Sequence, residues 1–180
     1  LRAVDQAVVE ADKHIAYYLA QTKGQILTHI KGIGEQRAAA YVAGIGNPEH
    51  YEHAGQTFRR SGLVSGRKDS GLRQRQGKGQ RVTKVGDPHL RRALVEMTRG
   101  LCQWQPRFEA YRASLEKRGK HRGVATVATA RKVNGVLFAL MRDQSEFQPV
   151  DAQGKPMLPR DCIRGTKKAT TNMDSGKDSA

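Results

Sequence analysis

The chain has 180 residues, a formal charge of +15 and a pI near 10.3. That length suits one domain with a real core, and that charge points to nucleic acid ahead of an anionic membrane. Hydrophobic residues make up 37% and aromatics 6%, so the core should be lean and mostly aliphatic, and no run of 18 apolar residues or signal-peptide pattern points to a membrane.

In chain order, the first segment runs from Leu1 to about Thr22. It places Val4, Val8, Ala11, Ile15, Tyr18 and Leu19 on one face. This spacing predicts a long amphipathic helix, packed on the domain or on a partner helix, and the short span of about three heptads favours the domain. The opening on Leu1 rather than Met suggests a piece of something longer. Next comes "ILTHIKGIGEQRAAAYVAGIG", a short apolar helix from Ile26 to Ile30, a turn at Gly32-Ile33-Gly34, and a second helix through Ala38, Tyr41 and Val42. This is the pattern of a helix-hairpin-helix. Its glycines allow a tight turn and bring backbone N–H groups near a phosphate, or serve the geometry of a helical corner alone. Asn47-Pro48 predicts a capped short helix over about Glu49 to Ala54.

From Leu63 to Val85 there is no helical period, and Val82 and Val85 hint at a short strand or hairpin. Asp87-Pro88 is a strong helix start, followed by Leu90, Leu94, Met97 and Leu101 in register, with Arg91 and Arg92 opposite. Gln105-Pro106 opens another helix through Phe108, Tyr111 and Leu115. A third runs from about Arg122 to Met141. Beyond Arg142, prolines and scattered charges predict a mostly disordered tail. The expected fold is therefore mainly α: a helix-hairpin-helix, a basic loop, then a helical bundle. The expected boundaries are 1–24, 25–142 and 143–180.

Charge is concentrated. Between Arg59 and Arg92 stand eleven Arg/Lys against two acids, whereas 143–180 carries six of each sign. A basic run is usually a solvated face, but this one lies between a candidate phosphate-binding turn and a basic helix start. If it neutralises six phosphates, affinity should fall roughly a thousandfold between low and physiological salt. The candidate phosphate-binding residues are Gly32, Gly34, Arg59, Arg60, Arg67, Lys68, Arg73, Arg75, Lys78, Arg81, Lys84, Arg91 and Arg92. Cys102 and Cys162 lie far apart without metal spacing and read as reduced thiols of a cytosolic protein. The six histidines show no metal spacing; His50 and His53 read as surface residues.

Read together, "IKGIGEQRAAAYVAGIG", "FRRSGLVSGRKDSG", "RVTKVGDPHLRRALVEMTRG" and "VATARKVNGVLFALMR" resemble the C-terminal domain of the DEDD-type insertion-sequence transposases, the bridge-RNA-guided recombinases of bacterial mobile elements. The similarity covers roughly Gln25 to Met141. Its most specific part is Ser-Gly, a basic stretch, then Lys84, Gly86, Asp87 and Leu90-Arg91. The resemblance implies that Ser70, before Gly71, is a nucleophile that attacks a DNA phosphodiester and becomes covalently joined to it. It further implies a strand-transfer role, DNA at element ends and target as substrates, a structured guide RNA, a homo-oligomer in the full-length form, and a cytoplasmic, nucleoid-associated location.

That family also has an N-terminal domain with three Asp and one Glu that bind divalent metal. No counterpart is present here, so no residue of this chain is expected to bind a cofactor, and Mg2+ is expected through that other domain. A second departure is Ser65, where the family often has proline.

The chemistry of the stretch is consistent with this. A serine hydroxyl must lose its proton during attack, and guanidinium groups aimed at the developing phosphoryl charge lower the barrier. Arg67, Lys68, Arg73 and Arg75 surround Ser70 in sequence, but no general base stands nearby; Asp69 is poorly placed, and His89 comes close only by folding. The competing reading of "KDSG" is a structural turn. The competing function is a helix-hairpin-helix module that holds DNA or RNA through phosphates and performs no chemistry.

Overall fold

The computed structural model describes residues 2–64 and 82–158. Among them six α-helices form, α1 (Arg2–Ala20), α2 (Glu35–Ile45), α3 (Ala54–Arg60), α4 (Pro88–Trp104), α5 (Pro106–Lys117) and α6 (Arg122–Asp143), with two 3-10 helices, Lys23–His29 and Pro48–His50. The fold is mainly α, as the periodicity predicts.

The bundle is organised on α4, which packs against α2, α5 and α6. Asp87 sets its start: the Asp87 carboxylate accepts from the amides of His89 (2.8 Å) and Leu90 (3.2 Å), and Pro88 occupies the first turn. Leu90, Leu94, Met97 and Leu101 then fall on one face and are almost wholly buried, each stabilising the fold by about 1.5–3 kcal/mol. Helix α6 supplies the other wall through Val133, Leu137, Phe138 and Met141. It is long and apolar enough to cross a membrane, but Ala130, Val133, Leu137, Leu140 and Met141 are buried in this core, while Val124 near its start is exposed.

A polar node joins three helices inside the core. The Tyr41 hydroxyl donates to Asn134 Oδ1 (3.0 Å), and Asn134 Nδ2 donates to the Ala54 carbonyl (2.8 Å) and to Thr57 Oγ1 (2.9 Å). Burial pushes the Tyr41 phenol far above its ordinary pKa, so it acts as a neutral donor. Cys102 is a buried free thiol, pushed up to about 11 by burial.

Two expectations need correction. The short helix after Asn47-Pro48 ends at His50; the chain is then extended at Tyr51, whose hydroxyl donates to the Ile45 carbonyl (2.9 Å), and a separate helix, α3, begins at Ala54 with His53 Nδ1 accepting from Gly55 N–H. Helix α1 forms as predicted but packs on the body only through its C-terminal half. Leu19 is buried and Ile15 and Ala16 are half-buried, whereas residues 2–10 are exposed. Val4, Val8 and Tyr18 remain 66%, 53% and 66% exposed, so the amphipathic face is real but largely uncovered.

After α6, residues 144–158 are irregular and tied to the body. Gln144 Nε2 donates to the carbonyls of Met141 and Lys23, Phe147 packs on the core, and Val150 bridges Pro156. Residues 159–180, the remainder of the predicted tail, lie outside the described residues, as does Cys162.

Candidate nucleic-acid interface

Ser70 and six of the candidate cations, Arg67, Lys68, Arg73, Arg75, Lys78 and Arg81, lie outside the described residues. The described structure shows the two chain ends from which that segment leaves and returns. Helix α3 delivers Arg59 and Arg60, the chain turns at Ser61-Gly62, and Val64 packs against the core. Val82 leads back to Gly86, where Asp87 caps α4.

These two ends are paired. Thr83 N–H donates to the Val64 carbonyl (2.9 Å), Lys84 N–H to that of Gly62 (3.0 Å), and Asp87 N–H to that of Arg60 (2.9 Å). The predicted hairpin near Val82 is thus a short backbone pairing at the base of the segment, without a named strand among the described residues. Left-handed backbone makes the approach close: Gly62 has φ +68°, Gly86 φ +139° and Lys84 φ +54°. A Cβ on Gly86 would stand 2.2 Å from the Arg60 carbonyl oxygen, a distance only glycine avoids.

Ser61 is fully buried and its Oγ donates to the Phe58 carbonyl (2.7 Å), so it serves the turn and offers no exposed hydroxyl. His89 is exposed in the first turn of α4, next to the Asp87 cap. The Asp87 carboxyl is held below its usual pKa, first by the Leu90 amide and further by the His89 amide and the charges of His89 and Arg60.

The cations at this root differ in what they are free to do. Arg59 and Arg60 are exposed and border an open groove of about 470 Å³ lined also by Tyr51, Gln56, Val85 and Asp87. Lys84 is exposed beside them. Arg92 pairs with Glu96 one turn along (2.9 Å) and holds that carboxyl below its usual pKa. Arg91 is half-buried, and its Nη1 donates to the carbonyls of Ser61 (3.2 Å) and Lys84 (3.1 Å). Sequence reasoning placed Arg91 with the phosphate contacts and missed this bond pattern. It also missed Thr83 and Gly62, and it named Gly86 only within the family resemblance; glycines standing on both sides of the basic run were the available signal.

Gly32 and Gly34 sit elsewhere. Gly32 (φ +107°) turns the chain against the far end of α4, where its Cβ would meet the Gly100 carbonyl at 2.8 Å and Trp104 at 3.0 Å. Gly100 is nine residues beyond Arg91, about 14 Å along the helix. Gly32 therefore meets a packing requirement. Gly34 caps α2 with open space at its Cβ. Asp12, hydrogen-bonded to Gln36 at 2.7 Å, and Glu35 share that helix start and weaken its pull on an anion. Among the described residues no three His, Cys, Asp or Glu side chains come together as metal ligands.

A sequence profile described as the transposase IS116/IS110/IS902 family matches residues 24–113. The chain belongs to that family. The matched span begins within the 3-10 helix Lys23–His29 and runs through α4 into α5, so it contains both paired ends and the basic segment between them. A relative in Streptomyces coelicolor, the insertion element IS110 uncharacterized 43.6 kDa protein, is 26% identical over 123 residues, covering 68% of this chain and 30% of the relative. The chain thus spans less than a third of the length of the relative it matches.

Proposed function

We propose that this chain is a DNA-engaging strand-transfer portion of an insertion-sequence transposase, in which Ser70 attacks a DNA phosphodiester. The observation that carries the reading is the pairing of the described residues that flank the basic segment. Its two ends are drawn together at the N-terminus of α4, inside the span that matches the transposase family, and exposed Arg59, Arg60 and Lys84 surround them.

In the proposed step the Ser70 oxygen forms a bond to phosphorus and gives up its proton. The bond from phosphorus to the departing DNA oxygen breaks, and that oxygen takes up a proton. Arg67, Lys68, Arg73 and Arg75 would meet the charge that grows on the phosphoryl oxygens. The residues described here do not fit a Mg2+ site, since no cluster of ligands forms among them. In this reading Mg2+ is held by another part of the complete protein, and no step is routed through it.

The partners proposed with this reading are DNA at element ends and target, a structured guide RNA, and further copies of the protein acting at the bacterial nucleoid. Support for self-association comes from α1, where Val4, Val8 and Tyr18 recur at coiled-coil spacing on an uncovered face.

The testing experiment mixes labelled element-junction DNA with the complete protein, magnesium and guide RNA, and compares wild type with Ser70→Ala. A denaturant-resistant adduct in the wild type alone is the expected result. An adduct in both moves the nucleophile to Ser65. Salt-sensitive binding with no adduct in either favours the competing phosphate-binding module, for which Arg59 and Arg60 would matter and Ser70 would not.

A further inference from the structure

We propose that Arg91 is a positioning residue that locks the two chain ends carrying residues 65–81, and so sets where that segment meets DNA. The inference rests on the reading above. It adds a residue whose role is geometric rather than electrostatic.

Nη1 of Arg91 donates to one carbonyl on each side of the root, Ser61 on the outgoing end and Lys84 on the returning end. Among the described residues no carboxylate pairs with it. Both sides are prepared for the contact. Ser61 is anchored in the core through its hydroxyl, and Gly62 leaves the room: a Cβ there would stand 2.8 Å from Arg91 Nη1. On the returning side, Lys84 adopts a left-handed φ of +54°, a conformation that a residue with a side chain keeps only where its surroundings enforce it. Arg91 itself projects from the first turns of α4, next to buried Leu90. One side chain therefore ties both ends to the core helix. A planar guanidinium holds its donors in a fixed fork, whereas an ammonium is a compact point charge.

Arg91→Lys keeps the charge and removes the fork, which separates positioning from phosphate attraction. Reacting groups displaced by about 1 Å can lose roughly a hundredfold in rate. In the complete protein, Arg91→Lys should slow Ser70 adduct formation by about ten- to a hundredfold while leaving the salt slope of DNA binding unchanged. Amide hydrogen exchange at Thr83 and Lys84 should accelerate, with Leu94 and Leu101 in α4 unaffected.

An adduct rate and exchange pattern equal to wild type would overturn the proposal. So would a fall in adduct accompanied by a shallower salt slope and unchanged exchange, which would make Arg91 a phosphate contact. If the wild type forms no adduct, the serine reading fails, and exchange at Thr83 and Lys84 alone decides the lock. If Arg91→Lys does not fold, Arg91→Gln replaces it. A carboxamide on a shorter stem cannot span both carbonyls, so exchange at the same two amides should speed by about threefold or more. Unchanged exchange there would overturn the proposal.

Discussion

Gly86→Ala is the sharpest test of the closed root. The added methyl would lie 2.2 Å from the Arg60 carbonyl oxygen and 3.0 Å from the Gly62 nitrogen, both backbone atoms, at a φ of +139°. No rotamer can relieve a Cβ clash, so the backbone must move. A non-glycine residue in this region costs on the order of 1–3 kcal/mol. The Asp87 N–H bond to the same Arg60 carbonyl, 2.9 Å, is displaced with it at about 1 kcal/mol. The expected loss is about 2–4 kcal/mol, large beside the roughly 5–15 kcal/mol by which domains are stable. Urea unfolding followed by the fluorescence of Trp104, the single tryptophan, and by far-ultraviolet circular dichroism would measure it. Gly135→Ala is the control. It lies inside α6 with nothing within 4 Å of its ideal Cβ, and should stabilise by about 0.5–1 kcal/mol. A Gly86→Ala cost below about 1 kcal/mol would refute the argument that the two ends are held in close backbone contact.

Asp87 makes stability depend on acid. Its folded pKa lies below the unfolded value, with the Leu90 amide the largest cause. Its contribution is therefore complete above the unfolded carboxyl pKa of about 3.9 and is lost as pH falls through the folded value. Asp87→Asn keeps an oxygen to cap α4 but cannot titrate, so its urea midpoint should fall less than wild type's between neutral pH and about pH 3; equal falls would contradict the assignment. Replacing Arg59 and Arg60 with Gln should reduce the magnitude of the logarithmic salt slope of DNA binding by about two, and an unaltered slope would place the contacts elsewhere. Val8→Glu, on the uncovered face of α1, should lower the solution mass measured by light scattering if that helix joins copies, and an unchanged mass would remove α1 from the interface.

Much of the helical frame was legible because its signals are local. Asp87-Pro88 and Gln105-Pro106 carry their own capping and first-turn chemistry, and both helices begin where those pairs predict. The break before α3 was not legible, since it depends on Tyr51 reaching Ile45 and on His53 acting as a cap. The period of α1 announces an apolar face but not what covers it. Gly32 shows the same limit: its sequence context says turn, while the reason for glycine is a carbonyl of Gly100, 68 positions away. At the candidate site, composition located the cations but could not rank them. Arg59 and Arg60 are exposed, Arg92 is paired with Glu96, and Arg91 faces two carbonyls, although all four are the same residue type in similar company.

The most direct test of the proposed chemistry is to identify the atom that becomes joined to DNA. Adduct formed by the complete protein on element-junction DNA would be digested with protease and nuclease, and the nucleotide-bearing peptide sequenced by mass spectrometry. A nucleotide phosphate on Ser70 is the expected result, with the signal absent from Ser70→Ala. A nucleotide on Ser65 or on any other side chain, or strand transfer completed without a protein-linked nucleotide, would contradict it.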